Sequence, residues 1–244
     1  MADGLLLLHA WPLDARMWEP QTASLPEGLT FATPNNPGFG GAEPAGEIMT
    51  MASAADRALA ALDEGGIERA VVCGLSIGGY VAFEIWRRAR TRVAGLVLAN
   101  TRAVGDSEEA ASARRVLAAR LRSEGNVLAT EPPPLLAEDA PPALAERVRS
   151  WIADQPAEAI AAALIGMAER PDSTSDLPTI DVPTLVITST ADRLIAPSIS
   201  AEIAHQIPKA RLESLESAGH LSNLEAPGRF TALLVEHLAT CGIG

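Results

Sequence analysis

One stretch constrains this chain more than any other: the apolar run Val71-Val72-Cys73 breaks into Gly74-Leu75-Ser76-Ile77-Gly78-Gly79-Tyr80. The order reads as strand, sharp turn, helix, with a β-type composition from Ala70 to Leu75 and a helical pattern from Ile77 to about Arg88. A serine at the tip of such a turn has its hydroxyl pushed clear of the sheet, and Gly74 and Gly78 leave room for the tight backbone around it. The following helix aims its first N–H groups at whatever sits over Ser76, which suits a developing oxyanion. A Gly-Ser-Gly cluster can also be a plain turn. The strand before it and the helix after it favour a nucleophile.

The rest of the chain alternates in the same way. Gly4 to His9 is an apolar run without periodicity, expected for a strand buried on both faces of a parallel sheet. Leu29 to Thr33 reads as a weaker strand, ended by the turn-rich loop from Pro34 to Gly41. A helix is predicted over Met49 to Leu62, stopped by Gly65-Gly66, and Val93 to Ala99 reads as the fourth strand. Between Asn100 and about Thr179 no strand signal occurs. That segment offers helices at Ser107 to Ser123, Pro142 to Asp154 and Ala157 to Glu169, then a return loop from Arg170 to Pro178. The sheet resumes at Val182 to Thr188, followed by a helix near Ser198 to Gln206, a strand near Arg211 to Leu215, and a closing helix from about Pro227 to Leu238. Strands alternating with helices predict an α/β fold with a doubly wound, mainly parallel sheet. One domain is expected, with core at 1–100 and 180–244 and a helical cap inserted at 101–179.

A serine hydroxyl is a poor nucleophile at neutral pH and needs a base, with a third group to orient that base. Open α/β sheets gather such groups at the carboxyl ends of their strands. Asp192 follows one late strand and His220 follows the last, in Ser217-Ala218-Gly219-His220-Leu221. His205 and His237 fall in helices expected to be solvated, which leaves His9 and His220, and His220 is favoured as the base because it sits in a turn beside a glycine. Asp192 is the first choice of acid and Asp106, after the fourth strand, the second. Backbone N–H groups of Ile77 and Trp11 are expected to form an oxyanion hole. The Trp11 indole and Trp151 of the cap are candidates to line the substrate pocket.

Other chemistries lack support in the sequence. The 31 acidic and 19 basic residues give a net charge of −12 with no basic block. Such a chain would repel a phosphate backbone, so no nucleic acid partner is expected. Cys73 and Cys241, like the scattered histidines, have no metal-ligand spacing. Gly38-Phe39-Gly40-Gly41 lacks the Lys-Ser/Thr ending of a phosphate loop. No cofactor and no metal are expected. The acidic N-terminus and the short run Leu5 to Leu8 do not read as a signal peptide, and nothing approaches a membrane span, so a cytoplasmic protein without a membrane partner is expected.

The chain resembles the α/β-hydrolase superfamily from its first strand to its last helix, and within it small bacterial ester and lactone hydrolases related to 3-oxoadipate enol-lactonase. Leu7-Leu8-His9-Ala10-Trp11-Pro12-Leu13-Asp14-Ala15-Arg16-Met17-Trp18 is similar to their oxyanion loop, and Gly74-Leu75-Ser76-Ile77-Gly78-Gly79 to their elbow. Gly166-Met167-Ala168-Glu169-Arg170-Pro171-Asp172-Ser173 resembles their cap-to-core return, and Ala218-Gly219-His220-Leu221-Ser222-Asn223-Leu224-Glu225 their histidine loop. The order Ser76, Asp192, His220 is the superfamily's order. The resemblance implies a serine hydrolase acting on a small ester or lactone through an acyl-enzyme. Serine at the elbow disfavours the dehalogenase and epoxide-hydrolase chemistries, which use aspartate there. Carbon–carbon bond hydrolysis, cofactor-free perhydrolysis, and a slow hydrolase serving as a ligand receptor stay open on the same three residues. There are three departures from the pattern: Ala10 stands where His-Gly is usual, Asn35 where aspartate is usual, and the two strands that precede the first one here are missing. The last implies an exposed sheet edge, which invites pairing into a homodimer.

Overall fold

The computed structural model describes residues 2–243. In chain order its elements are β1 (Ala2–Leu8), α1 (Glu19–Thr22), β2 (Phe31–Ala32), α2 (Met51–Glu64), β3 (Ile67–Leu75), α3 (Ile77–Ala89), β4 (Val93–Ala99), α4 (Glu108–Glu124), α5 (Pro142–Ala153), α6 (Ala157–Ala168), β5 (Thr184–Ser189), α7 (Pro197–Gln206), β6 (Ala210–Leu215), α8 (Ser222–Glu225) and α9 (Pro227–Thr240). Six strands form one open sheet in the order β2-β1-β3-β4-β5-β6. Every pairing is parallel, not only most of them.

Burial explains the patterns. Leu5 to Leu8 and all seven residues of β4 are buried, as strands covered on both faces must be. The predicted strand at 29–33 shrinks to two residues at the sheet edge, where Phe31 is exposed. In the closing helix α9, Phe230, Leu233, Leu234, His237 and Leu238 recur at helical spacing and form its buried stripe. That stripe overturns one expectation: His237, predicted to be solvated, is only 1% exposed. Its ring lies against Cys241 and beside the Leu96 and Pro183 carbonyls, and burial lowers its pKa to about 4. His205 on α7 is exposed as expected. Cys73 is buried in β3, which pushes its thiol pKa up.

The segment between β4 and β5 holds α4, α5 and α6 and no strand. Helices α4 and α6 pack on each other, and the Met49 N–H donates to the Ala162 carbonyl (3.1 Å), tying α6 to the core loop before α2. No helix of the described residues is long and apolar enough to cross a membrane.

The strand order reverses between β1 and β3. The chain first moves outward from β1 to β2, then returns to place β3 on the other side of β1. Parallel α/β sheets open a crevice outside the carboxyl ends of the strands at such a switch. Here the loop after β1 carries Trp11 and the turn after β3 carries Ser76.

Candidate active site

Ser76 caps α3 in a strained conformation, φ +57° and ψ −116°, which a residue with a Cβ rarely adopts. Three hydrogen bonds hold it there. Its N–H donates to the Ala99 carbonyl (3.0 Å), while its own carbonyl accepts from the Gly79 N–H (2.9 Å) and the Thr101 hydroxyl (2.7 Å). Its side chain makes no capping bond to the helix. Gly74 and Gly78 are required by contact: a Cβ on Gly74 would strike the Gly78 backbone, and one on Gly78 the Leu8 carbonyl.

Registers Leu8↔Gly74, Leu75↔Ala99, Ala99↔Ile187 and Ser189↔Leu215 bring the carboxyl ends of β1, β3, β4, β5 and β6 to one side. Asp192 and His220 arrive there in the loops after β5 and β6. His220 Nδ1 lies 2.9 Å from Asp192 Oδ2, with both side chains at most 2% exposed. Burial pushes the Asp192 carboxyl up. The His220 hydrogen bond and charge, with the Ile195 and Leu194 N–H groups, more than offset this and hold it below the usual carboxylate range. An ionised carboxylate only accepts, so Nδ1 carries a proton, and in the neutral ring Nε2 is left as the acceptor.

Both loops are held from several sides. Asp192 Oδ2 also accepts from Asn100 Nδ2 (2.9 Å), and Oδ1 from the Leu194 (2.8 Å) and Ile195 (3.0 Å) N–H groups. Asn100 also donates to Ser189 Oγ and accepts from Ser222 Oγ. Glu225 accepts from the Gly219 and Ala137 N–H groups, both at 2.9 Å, and the Leu221 N–H donates to the Leu135 carbonyl. The histidine loop is thereby pinned to the segment between α4 and α5.

Ser76 and His220 line one cavity of about 150 Å³ together with Trp11, Tyr80, Met167 and Ile195, among others. The Trp11 indole donates to the Ile160 carbonyl (3.3 Å), so its ring joins the first strand loop to α6. Among the described residues the backbone N–H groups of Trp11 and Ile77 donate to no other backbone carbonyl. His9 is committed elsewhere. Its Nε2 accepts from the Asn36 N–H (2.9 Å) and its Nδ1 donates to the Ala10 carbonyl (3.0 Å), a neutral ring whose pKa burial lowers.

Two sequence candidates lie apart from this cavity. Trp151 does not line it. The buried face of α5 is Leu144, Val148, Trp151 and Ile152, and the indole sits between the Arg16 and Arg147 guanidiniums, 5.9 and 5.5 Å from its ring centre. Asp106 binds no histidine but pairs with Arg114 (2.5 Å) and Arg170 (2.7 Å). Sequence reasoning passed over Asn100 and Arg102. Both stand just past the carboxyl end of β4, a position that could have flagged them. Arg114 and Tyr80 gave no such signal, because helical spacing alone does not distinguish a cavity-facing residue from a core or solvated one.

Residues 5–233 match the family model described as "Alpha/beta hydrolase family". A pimeloyl-[acyl-carrier protein] methyl ester esterase of Aromatoleum aromaticum is 31% identical, over 95% of this chain and 96% of its own. Among solved structures, a malate-bound thermophilic esterase from Thermogutta terrifontis is 39% identical with a TM-score of 0.92, covering 99% of this chain and 92% of its own. The enol-lactonase from Burkholderia xenovorans is 29% identical with a TM-score of 0.88, covering 98% and 92%. With the parallel sheet, the serine turn after β3 and the late aspartate and histidine loops in the same order, the chain belongs to the alpha/beta hydrolase family.

Proposed function

We propose that the protein is a serine hydrolase that cleaves a carboxylic ester or lactone through an acyl-enzyme. The observation that carries this reading is the buried Asp192–His220 hydrogen bond at Nδ1, which turns Nε2 of the neutral ring into the acceptor in a cavity shared with Ser76. In the first step Nε2 takes the Ser76 proton as Oγ attacks the carbonyl carbon. The oxygen that becomes negative is met by the Ile77 and Trp11 N–H groups, donors already in place at the head of α3 and in the loop after β1. Collapse breaks the ester bond, and the departing oxygen receives the proton from His220. Water then attacks the acyl-Ser76 with His220 again as base, releasing the acid and the free serine. Asp192 holds the Nδ1–H tautomer and stabilises the imidazolium formed in each half. Esterase and enol-lactonase relatives support this reading, since both reactions open an acyl–oxygen bond.

The test is the initial hydrolysis rate on nitrophenyl esters of rising acyl length and on several lactones, with Ser76→Ala alongside. A loss of about a thousandfold or more in the variant is expected for removal of the nucleophile. Equal rates in the two proteins would overturn the reading.

A further inference from the structure

Two guanidiniums, Arg102 and Arg114, line the cavity over Ser76, and no aspartate or glutamate does. That is a reversed balance for a chain of net charge −12. The two come from different layers. Arg102 stands in the core loop just after β4, whereas Arg114 projects from α4 of the cap. Neither is fully spent on the protein. Among the described residues Arg102 has no carboxylate partner: one Nη donates to the Leu194 carbonyl (3.0 Å), and its Nε is buried without a hydrogen-bond partner. Arg114 gives its Nε to Asp106, but its Nη1 reaches only the Met167 sulfur at 3.5 Å. Asp106 is itself shared with Arg170, so two arginines draw on one carboxylate.

We infer that the ester or lactone cleaved here carries a free carboxylate, bound between Arg102 and Arg114 while its carbonyl lies at Ser76. The inference rests on the hydrolase reading above. Among the described residues the second Nη of Arg102 and Nη2 of Arg114 make no hydrogen bond to the protein, so each can take a ligand oxygen. The planar guanidinium fork matches a carboxylate edge, and the walls of a small cavity strengthen the attraction. An anion held by both side chains also joins cap to core, so binding orders the cap over the serine. The uncharged part of the substrate has room beside the site. A mostly apolar cavity of about 360 Å³ shares Trp11, Arg114 and Pro133 with the first.

The test uses two pairs of esters that differ in charge: monomethyl against dimethyl glutarate, with the anion on the acyl side, and acetoxyacetate against its methyl ester, with the anion on the leaving side. In at least one pair the charged member is expected to have the higher kcat/KM by tenfold or more, through KM, and added salt should reduce the margin. Arg102→Gln and Arg114→Gln should each lower the charged-to-neutral ratio by roughly ten- to a hundredfold, the range for losing a charged hydrogen bond. Arg102→Lys should restore part of it. Arg102→Gln strands no paired carboxylate, and in Arg114→Gln Asp106 keeps Arg170, so melting temperatures near wild type are expected. Ser76-dependent hydrolysis with no charge preference in either pair, or with a preference that both arginine variants retain, would overturn this inference and leave the hydrolase reading standing. If neither these esters nor the nitrophenyl esters and lactones above are cleaved, the hydrolase reading falls. Calorimetry with glutarate then decides the anion site: binding that Arg102→Gln abolishes supports it, and no binding overturns it.

Discussion

Replacing Asp192 with asparagine separates orientation of His220 from mere packing. Four donors converge on this carboxylate: Asn100 Nδ2 and His220 Nδ1 on Oδ2, and the Leu194 and Ile195 N–H groups on Oδ1. An amide has one acceptor oxygen, so two of the four must face an NH2. The backbone donors cannot change, whereas imidazole can move its proton, so the amide oxygen should turn to Leu194 and Ile195. The NH2 then faces His220 and makes Nδ1 an acceptor, which places the proton on Nε2 and leaves the ring no basic nitrogen toward Ser76. One donor, Asn100 Nδ2, loses this partner but keeps Ser189 Oγ at 2.5 Å. The stability loss should therefore stay within about 1–3 kcal/mol, while kcat falls on the order of 10³–10⁴-fold, the scale of a wrong-tautomer defect. Urea unfolding, steady-state kinetics on the best ester and ¹⁵N spectra of the imidazole read the three quantities. The native carboxyl is held below its ordinary value, so its stabilising contribution is present above about pH 4 and is lost as pH falls through the folded value. The stability gap between wild type and variant should narrow at acid pH. A variant that retains kcat within tenfold, or one that keeps Nδ1–H, would refute the orientation argument.

The other perturbations probe the frame. Gly74→Ala puts a methyl into the Gly78 and Gly79 backbone, which cannot yield without moving Ser76. A loss of about 3 kcal/mol or more in urea, or failure to fold, is expected, and near-wild-type stability would contradict the elbow packing. His237, with its pKa lowered from 6.5 to about 4, stays neutral in the fold while the unfolded chain takes up a proton. Stability should therefore fall as pH drops from 6.5 to 4, by about 3 kcal/mol from this group. His237→Leu should flatten that interval, and identical slopes in the two proteins would show that the ring does not titrate as stated.

The fold was legible wherever burial on both faces left an unbroken apolar run. Leu5 to Leu8 and Val93 to Ala99 show their strands without ambiguity, and six of six strands were anticipated. Turn chemistry was equally plain at Gly74 to Gly79, because backbone contacts demand Gly74 and Gly78 and the Thr101 side chain crowds Gly79. Side-chain facing was not. The sequence alone predicts a solvated His237, because one histidine among apolar neighbours can join a buried stripe or end it, and only packing beside Leu96 of β4 and Pro183 decides. Trp151 was a candidate for the pocket because its helix belongs to the cap, yet the phase of α5 turns the ring to two arginines. Arg114 carries no such signal, because an arginine facing a cavity and one facing solvent have the same local sequence context, whereas Arg102 stands just past the carboxyl end of β4, where site residues gather.

Asp106 and Asp192 show how partners divide labour between like residues. Both are loop aspartates past the carboxyl ends of strands, and by position either could orient a histidine. Asp192 meets His220, but Asp106 meets two guanidiniums, Arg114 at the site and Arg170 where the cap returns to the core. Burial raises the Asp106 pKa, and the two arginines more than reverse it, so the carboxyl stays ionised. Asp106 and Arg170 are both at most 2% exposed at their side chains. A pair buried so deeply adds little net stability over an apolar substitute, since desolvation offsets much of the attraction. Its use is better sought in position. Asp106 holds Arg114 by Nε and anchors α4 to Arg170, just past the end of α6. Arg114 is thereby kept at the cavity wall instead of swinging to solvent, as an unpaired arginine on an exposed helix would. One aspartate holds His220, and the other holds Arg114, at two walls of the same cavity.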